Sequence, residues 1–414
     1  MVVEESIVIL DNGGYHLKLG TSLQEEPRLI PNSIVKAKYE RKRVFIAHEQ
    51  DECLDKCSLF YVRPIERGYV TNWETQQQIW EKAFQTLEIE EPNESRIMLT
   101  DNNYLVPALP DVSSEILFET FGFHSVFKGA AASFVGEHSS KVNFEKCALI
   151  VDCGFSSTHV APYVDGILIQ EGVIRIDISG KALTNKLKDW ISYRQLNVIE
   201  ETHIINECKE DVCYVSLDFN GDLKRKSNAK RYVMPDFHTT FRGIVKDMNE
   251  PFDANIPSIS LGVERFATPE LLFNPSDVDL DQMGVGEAVV ESLARCPENL
   301  RAALSENIVV IGGSAKFAGF QQRLESEVRS LLPVEFDVNV HSDVGDPQIY
   351  AWKCARELVA AKNFKIPWVD RKEWNEKGEN IEFERFFKTI ETSDDMKAKI
   401  EAECAAKPSE EMEI

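Results

Sequence analysis

Two aspartates, Asp11 and Asp152, each close an apolar run and are followed two residues on by a glycine: IVILDNGGYHLKLG at 7–20 and CALIVDCGFSSTHVAPYVDG at 147–166. Consecutive backbone N–H groups in a glycine turn form a concave donor site for phosphate oxygens, because no Cβ holds the anion away from the backbone. Asn12, Gly13 and Gly14 supply such a turn in the first segment and Gly154 in the second. Lys18, in the run after the first turn, adds positive charge toward the same place. Asp11 and Asp152 are suited to hold Mg²⁺ through its waters, since this ion keeps several waters and takes one or two carboxylates. A single Asp-x-Gly turn is common and reads first as a plain tight turn. Two matched turns, with the later pair Gly312 and Gly313, make shared phosphate chemistry the stronger reading.

The elements that position these residues follow from the pattern. Each aspartate segment reads as a β-hairpin with a glycine turn. Their separation, 152 − 11 = 141 positions, is too long for a solenoid and points to a duplicated domain. Ile308–Ile311 reads as a buried strand ending in Gly312-Gly313, with a helix from about Phe320 carrying Leu324, Val328, Leu331 and Leu332 and ended by Pro333. Thr71 with Glu74 has the form of a capping box, and Ile79, Trp80, Ala83, Phe84 and Leu87 share one helical face after it. A further helix starts after Gly180 with Leu183, Leu187, Trp190 and Ile191. Strands and helices alternating around glycine turns predict an α/β architecture. Residues 219–260 read as a polar insertion or surface excursion, and 388–414 as an acidic tail without fixed structure.

Charge and composition narrow the function. Lys and Arg number 46 against 69 Asp and Glu, a formal net charge of −23, which argues against broad nonspecific binding to nucleic-acid phosphates. A local basic patch remains compatible with it, at Lys224, Arg225, Lys226, Lys230 and Arg231. With 414 residues the chain has room for two or three domains. No run approaches the ~20 apolar residues of a membrane span, and the acidic start does not read as a secretory signal. Nine scattered cysteines give no disulfide framework, and Cys53 with Cys57 lacks the second pair of a zinc site.

The two hairpins, together with PIERGYVTNWE (64–74), LFETF (117–121), KEDVCYVSLDF (209–219), ERFATPELLFNPS (264–276) and the glycine pair at 312–313, resemble the actin-related proteins, within the actin, Hsp70 and sugar-kinase superfamily. ISYRQLNVIEETH (191–203) ahead of KEDVCYVSLDF is most similar to their sixth, nuclear subfamily. The resemblance implies an actin-like ATPase fold: two lobes, each on a ribonuclease-H-like core, around a nucleotide cleft. The expected small lobe spans 1–142, with 350–387 returning to it, and the large lobe 143–349. ATP or ADP with Mg²⁺ is the implied cofactor. Asp11, Asn12, Gly13, Lys18, Asp152 and Gly154 match the phosphate hairpins, as do Thr158 and His159. Lys209 and Glu210 match the wall of the adenine pocket, with Gly180, Gly312 and Gly313 at its glycine turns.

The departures from the family pattern are as informative. Gly14 replaces the small hydroxyl residue of the first turn, Tyr15 the next glycine, and Phe155 and Ser156 the second aspartate and its glycine. The glutamine that positions water in actins falls at Ala131. Loss of such a group costs a factor of about 10²–10⁴, so slow or absent hydrolysis is expected, with any nucleotide acting as a structural staple. Arg67 stands at the family's modified histidine, and 31–63 is shorter than the actin counterpart, which implies a chain that does not polymerise with itself. The subfamily implies a nuclear, non-catalytic subunit of an SWR-type remodelling complex, beside a small zinc-bearing partner subunit and in contact with histones or the nucleosome. The basic cluster would then serve import or touch DNA, although such clusters are often only solvated surface. An actin-like ATPase or a filament-associated subunit is the rival reading.

Overall fold

A run such as Val8–Leu10, apolar at every position, cannot face water on either side and belongs in the middle of a covered sheet. The computed structural model places it there. It describes residues 6–390 apart from 38–42, 54–55, 57–58, 88–93, 103–104, 106–111, 144, 226–228, 254, 342–344, 362–363, 379 and 387–388. Strand β1 (Ile7–Asn12) pairs antiparallel with β2 (His16–Thr21), which pairs antiparallel with β3 (Arg28–Pro31). On its other edge β1 runs parallel to β4 (Arg96–Thr100), and β4 runs parallel to β5 (Ser125–Gly129).

The second sheet repeats this wiring strand for strand. Strand β6 (Cys147–Cys153) pairs antiparallel with β7 (Thr158–Val164), and β7 pairs antiparallel with β8 (Ile167–Ile169). Strand β6 also runs parallel to β9 (Ile308–Ile311), and β9 to β10 (Val340–His341). The orders 5-4-1-2-3 and 10-9-6-7-8 are therefore one topology used twice in an α/β chain.

Helices cover both sheets. Helix α1 (Trp73–Gln85) buries Ile79, Trp80, Ala83 and Phe84, as its periodicity requires. Its cap is Asn72, whose side chain accepts from the Thr75 amide at 2.9 Å, and not the Thr71–Glu74 box that the sequence suggests. Thr71 is used otherwise: its hydroxyl donates to the Pro64 carbonyl, which moves the start of the helix on by one residue. Helices α2 (Ala131–Lys141), α3 (Gly180–Arg194) and α4 (Thr202–Val212) follow, and α3 buries Leu183, Leu187 and Ile191. Helix α5 (Phe320–Leu331) buries Phe320, Leu324 and Val328. Helix α6 (Tyr350–Ala360) returns to the first sheet, where the Trp352 indole donates to the Ile9 carbonyl at 3.0 Å. Val369–Asp370 then pairs with the edge of β5.

Two expectations need correction. Residues 219–260 are not a loose excursion: Phe219–Lys224 is helical, and Lys230–Val233, Ile244–Asp247 and Ser258–Leu261 form a three-stranded sheet. Tyr232, Phe237, Ile259 and Leu261 bury into the core under the second sheet, whereas Phe241, Ile244 and Met248 stay exposed. The other correction is at the start of the tail, where Thr389–Ile390 adds a short parallel strand to β8. Residues 391–414 lie outside the described residues, as do Cys57 and Lys226.

Candidate functional site

The two hairpins present their turns to one cleft of about 680 Å³. All twelve residues singled out from the sequence line it: Asp11, Asn12, Gly13, Gly14 and Lys18 from the first hairpin, Asp152 and Gly154 from the second, Gly180, Lys209 and Glu210 from α3 and α4, and Gly312 and Gly313 after β9. Gly312 has φ +95°, and a Cβ there would sit 2.4 Å from the Cys153 carbonyl oxygen, so glycine is needed for β9 to turn beside β6.

The carboxylates are close enough to feel each other. Asp11 ion-pairs with Lys18 at 2.9 Å and accepts a 2.7 Å hydrogen bond from Thr100 at the end of β4. Asp152 is pushed up to about 6, first by burial and then by the Asp11 charge, with Lys18 opposing. Two carboxylates sharing a single ammonium make a donor set that suits a hydrated divalent cation. Among the described residues no group of three or more His, Cys, Asp or Glu offers a direct metal site.

At the other end, the Lys209 ammonium is spent on the protein itself. It donates to the Gly180 carbonyl (3.1 Å), the Thr184 hydroxyl (2.9 Å) and the Asn206 side-chain oxygen (2.9 Å), tying α3 to α4. Burial in this knot lowers its pKa to about 8. Glu210, which accepts from Asn206 at 2.7 Å, stays exposed to the cleft.

Between these ends, Tyr15 and Phe155, which the sequence shows only as isolated substitutions, meet each other and Arg63. The rings of Tyr15 and Phe155, one on each turn, stand 4.8 Å apart. The Arg63 guanidinium lies over both, 4.7 Å from Tyr15 and 5.1 Å from Phe155. Burial beside Glu210 and Glu207 pushes the Tyr15 hydroxyl up to about 12, so it stays protonated next to Asn206. The turns also touch: a Cβ on Gly14 would sit 2.2 Å from the Ser156 hydroxyl. Arg175 of the second sheet holds the Arg67 carbonyl at 2.5 Å, fastening the Ile65–Val70 hairpin across the cleft. No sequence signal announced Arg63 or Arg175, because both act through contacts distant in the chain. Thr100, which reaches Asp11 from the neighbouring strand, was not singled out either.

The residues expected to assist hydrolysis offer little. Ala131 lines the cleft with a methyl group, which neither donates nor accepts a hydrogen bond. His159 faces Asp152 across the β6–β7 ladder, yet is fully buried, does not line the cleft and leaves Nε2 without a partner. Burial lowers its pKa to about 4, so it is neutral.

A twice-used sheet order around a glycine-lined cleft defines an actin-type protein, and the sequence profile of the family described as Actin matches residues 2–387. The chain belongs to the actin family. It is 63% identical over 397 residues to an actin-like protein of Caenorhabditis elegans, with 94% of each chain covered. It is 40% identical over 376 residues to actin-related protein 6 of Drosophila melanogaster, covering 87% of this chain and 94% of that one. Actin-related protein 6 of Arabidopsis thaliana is 33% identical over 420 residues, covering 92% and 99%.

Actin family members typically bind nucleotide with Mg²⁺. The carboxylate pair suits the cation, and Glu210 lines the same cleft beside Tyr15. The tips of the two turns come close beside the Tyr15–Arg63–Phe155 stack, which narrows the place where a phosphate chain would lie.

Proposed function

We propose that this chain is a non-catalytic, nuclear actin-family subunit of an SWR-type chromatin-remodelling complex. In that role it supports histone-variant exchange and nucleosome contact, and it docks beside a small zinc-bearing subunit instead of forming filaments. One observation carries the non-catalytic part: the aromatic stack joins the turns where a hydrolysing member would cradle phosphates. Ala131 supports it, since nothing at that position can orient a water molecule. The assembly part leans on the likeness to proteins named actin-related protein 6 over nearly the whole chain.

The basic cluster is the candidate for DNA contact, and its charges are partly used. Lys230 pairs with Asp247, Arg231 covers the Phe252 ring at 3.9 Å, and Arg225 lies 3.6 Å from Asp222. Lys224 is exposed.

Affinity purification of the full chain from nuclear extract, with identification of its associated chains, tests the reading. Recovery with remodelling-complex subunits and histones is expected. Recovery alone, or pelleting as filaments under polymerising salt, would overturn it.

A further inference from the structure

After its last contact with the first sheet the chain crosses to the second. Val369–Asp370 pairs antiparallel with Ser125–Val126 of β5, and the Ser125 hydroxyl donates to the Asp370 carboxylate at 2.6 Å. The helices Arg371–Lys377 and Asn380–Phe386 follow, and the Arg385 guanidinium forks onto Glu373 at 2.6 and 2.7 Å, holding one to the other. The second helix is fixed to the first sheet by Ile381, which is buried, and by the Phe386 ring, 5.5 Å from that of Phe127. An ion pair completes the anchor: Lys128 of β5 is only 1% exposed, and its ammonium lies 2.6 Å from the Glu382 carboxylate. A lysine so buried needs a counter-charge, and separating such a pair is strongly destabilising, so this helix is held in place.

Residues 387 and 388 alone separate Phe386 from Thr389, which pairs with Leu168 as Ile390 does with Ile169. Such a step spans at most about 11 Å, so the end of the anchored helix must lie close to the edge of the second sheet. Strand β8 there reads Ile-Leu-Ile, with Leu168 and Ile169 buried, and β7 pairs with one side of it. The other side would be the open edge of the sheet, a row of backbone groups beside apolar side chains, the kind of edge that recruits a further strand. Among the described residues, Thr389–Ile390 is the strand that covers it. The Actin profile stops at residue 387, so this strand lies beyond the part of the chain that the profile matches.

We infer that the β8 edge is a strand-acceptor site, and that its occupant is the chain's own segment at Thr389–Ile390, delivered by the helix that Lys128 and Glu382 anchor. The site recognises backbone: an extended segment running parallel to β8 supplies donors and acceptors to the edge, and β-branched side chains suit its pleat. The segment straps the first sheet to the second, and none of the residues that form this contact lines the cleft. An extended segment of another chain reaches the same edge only by displacing the strap.

Hydrogen exchange of the full chain, wild type against the double variant Thr389→Pro/Ile390→Pro, tests it. Proline removes the backbone donor at both positions and leaves Asn380–Phe386 with its ion pair untouched. Exchange of the outward-facing amides in Ile167–Ile169 should quicken at least about tenfold in the variant, while exchange in β6, inside the same sheet, stays as in the wild type. Unchanged exchange at Ile167–Ile169, or a general quickening through the second sheet, would overturn the inference. A synthetic peptide of residues 386–394, added to the variant at millimolar concentration to match what a short tether supplies, should restore the lost protection. Protection that does not return would show that the edge accepts no strand, and would overturn the inference as well.

Discussion

The first and second hairpins share backbone, register and neighbours, yet they differ at the two positions where chemistry is done. Asp11 faces Lys18 across its ladder, and Asp152 faces His159 at the equivalent place. In the first hairpin the pair is ionic at 2.9 Å and opens into the cleft. In the second, the partner is a neutral imidazole buried away from it. The tips differ as well, Gly14-Tyr15 against Phe155-Ser156, and it is these unlike residues that interlock. Duplication fixed where the strands run, because their hydrogen bonds and apolar faces admit few alternatives. The side chains at the turns do not follow this repeat, and they pack on one another.

Substitutions at equivalent positions sharpen this contrast. The largest effect is expected at the cross-strand partners. Lys18→Met leaves Asp11 and Asp152 facing each other without a cation and should lower the free energy of unfolding by about 3 kcal/mol, read by urea denaturation. His159→Leu replaces a neutral, buried imidazole whose Nε2 has no partner and should change stability by less than about 1 kcal/mol. Equal losses would mean that the two hairpins are electrostatically alike.

The glycines come next. A Cβ on Gly13 would lie 2.6 Å from the His16 carbonyl oxygen, backbone that cannot yield, whereas one on Gly154 would lie 3.2 Å from that of Ser157. Gly13→Ala should therefore cost about 2 kcal/mol and Gly154→Ala under about 1 kcal/mol, again by denaturation. The smallest effect is expected from Tyr15→Phe, which keeps the ring and loses the hydroxyl beside Arg63 and Asn206. A loss of about 1 kcal/mol is predicted, read by urea denaturation.

How much of this was legible in the sequence depends on the range of the interaction. Both hairpins, β9 and the helices from Gly180 and Phe320 follow from local periodicity and glycine turns, and they stand where expected. The α1 cap was misread by one residue because Thr71 and Asn72 are both good capping types, and only the contact to Pro64 decides between them. The 219–260 sheet was hidden by strands of four residues with polar ends. One of its loops is held by Asp236, which accepts from the backbone amides of His238, Thr239 and Thr240. The cleft lining was readable as a set, since each member sits at an element end with a distinctive residue type. Its closure was not: Tyr15 and Phe155 are 140 positions apart, 155 − 15, and nothing local says that they meet or that Arg63 covers both.

Steady-state phosphate release from Mg²⁺-ATP by the purified full chain bears most directly on the central claim, that the cleft joins two lobes without turning over nucleotide. The account predicts no release above a buffer control. Sustained release at a rate comparable to polymerising actin would contradict it.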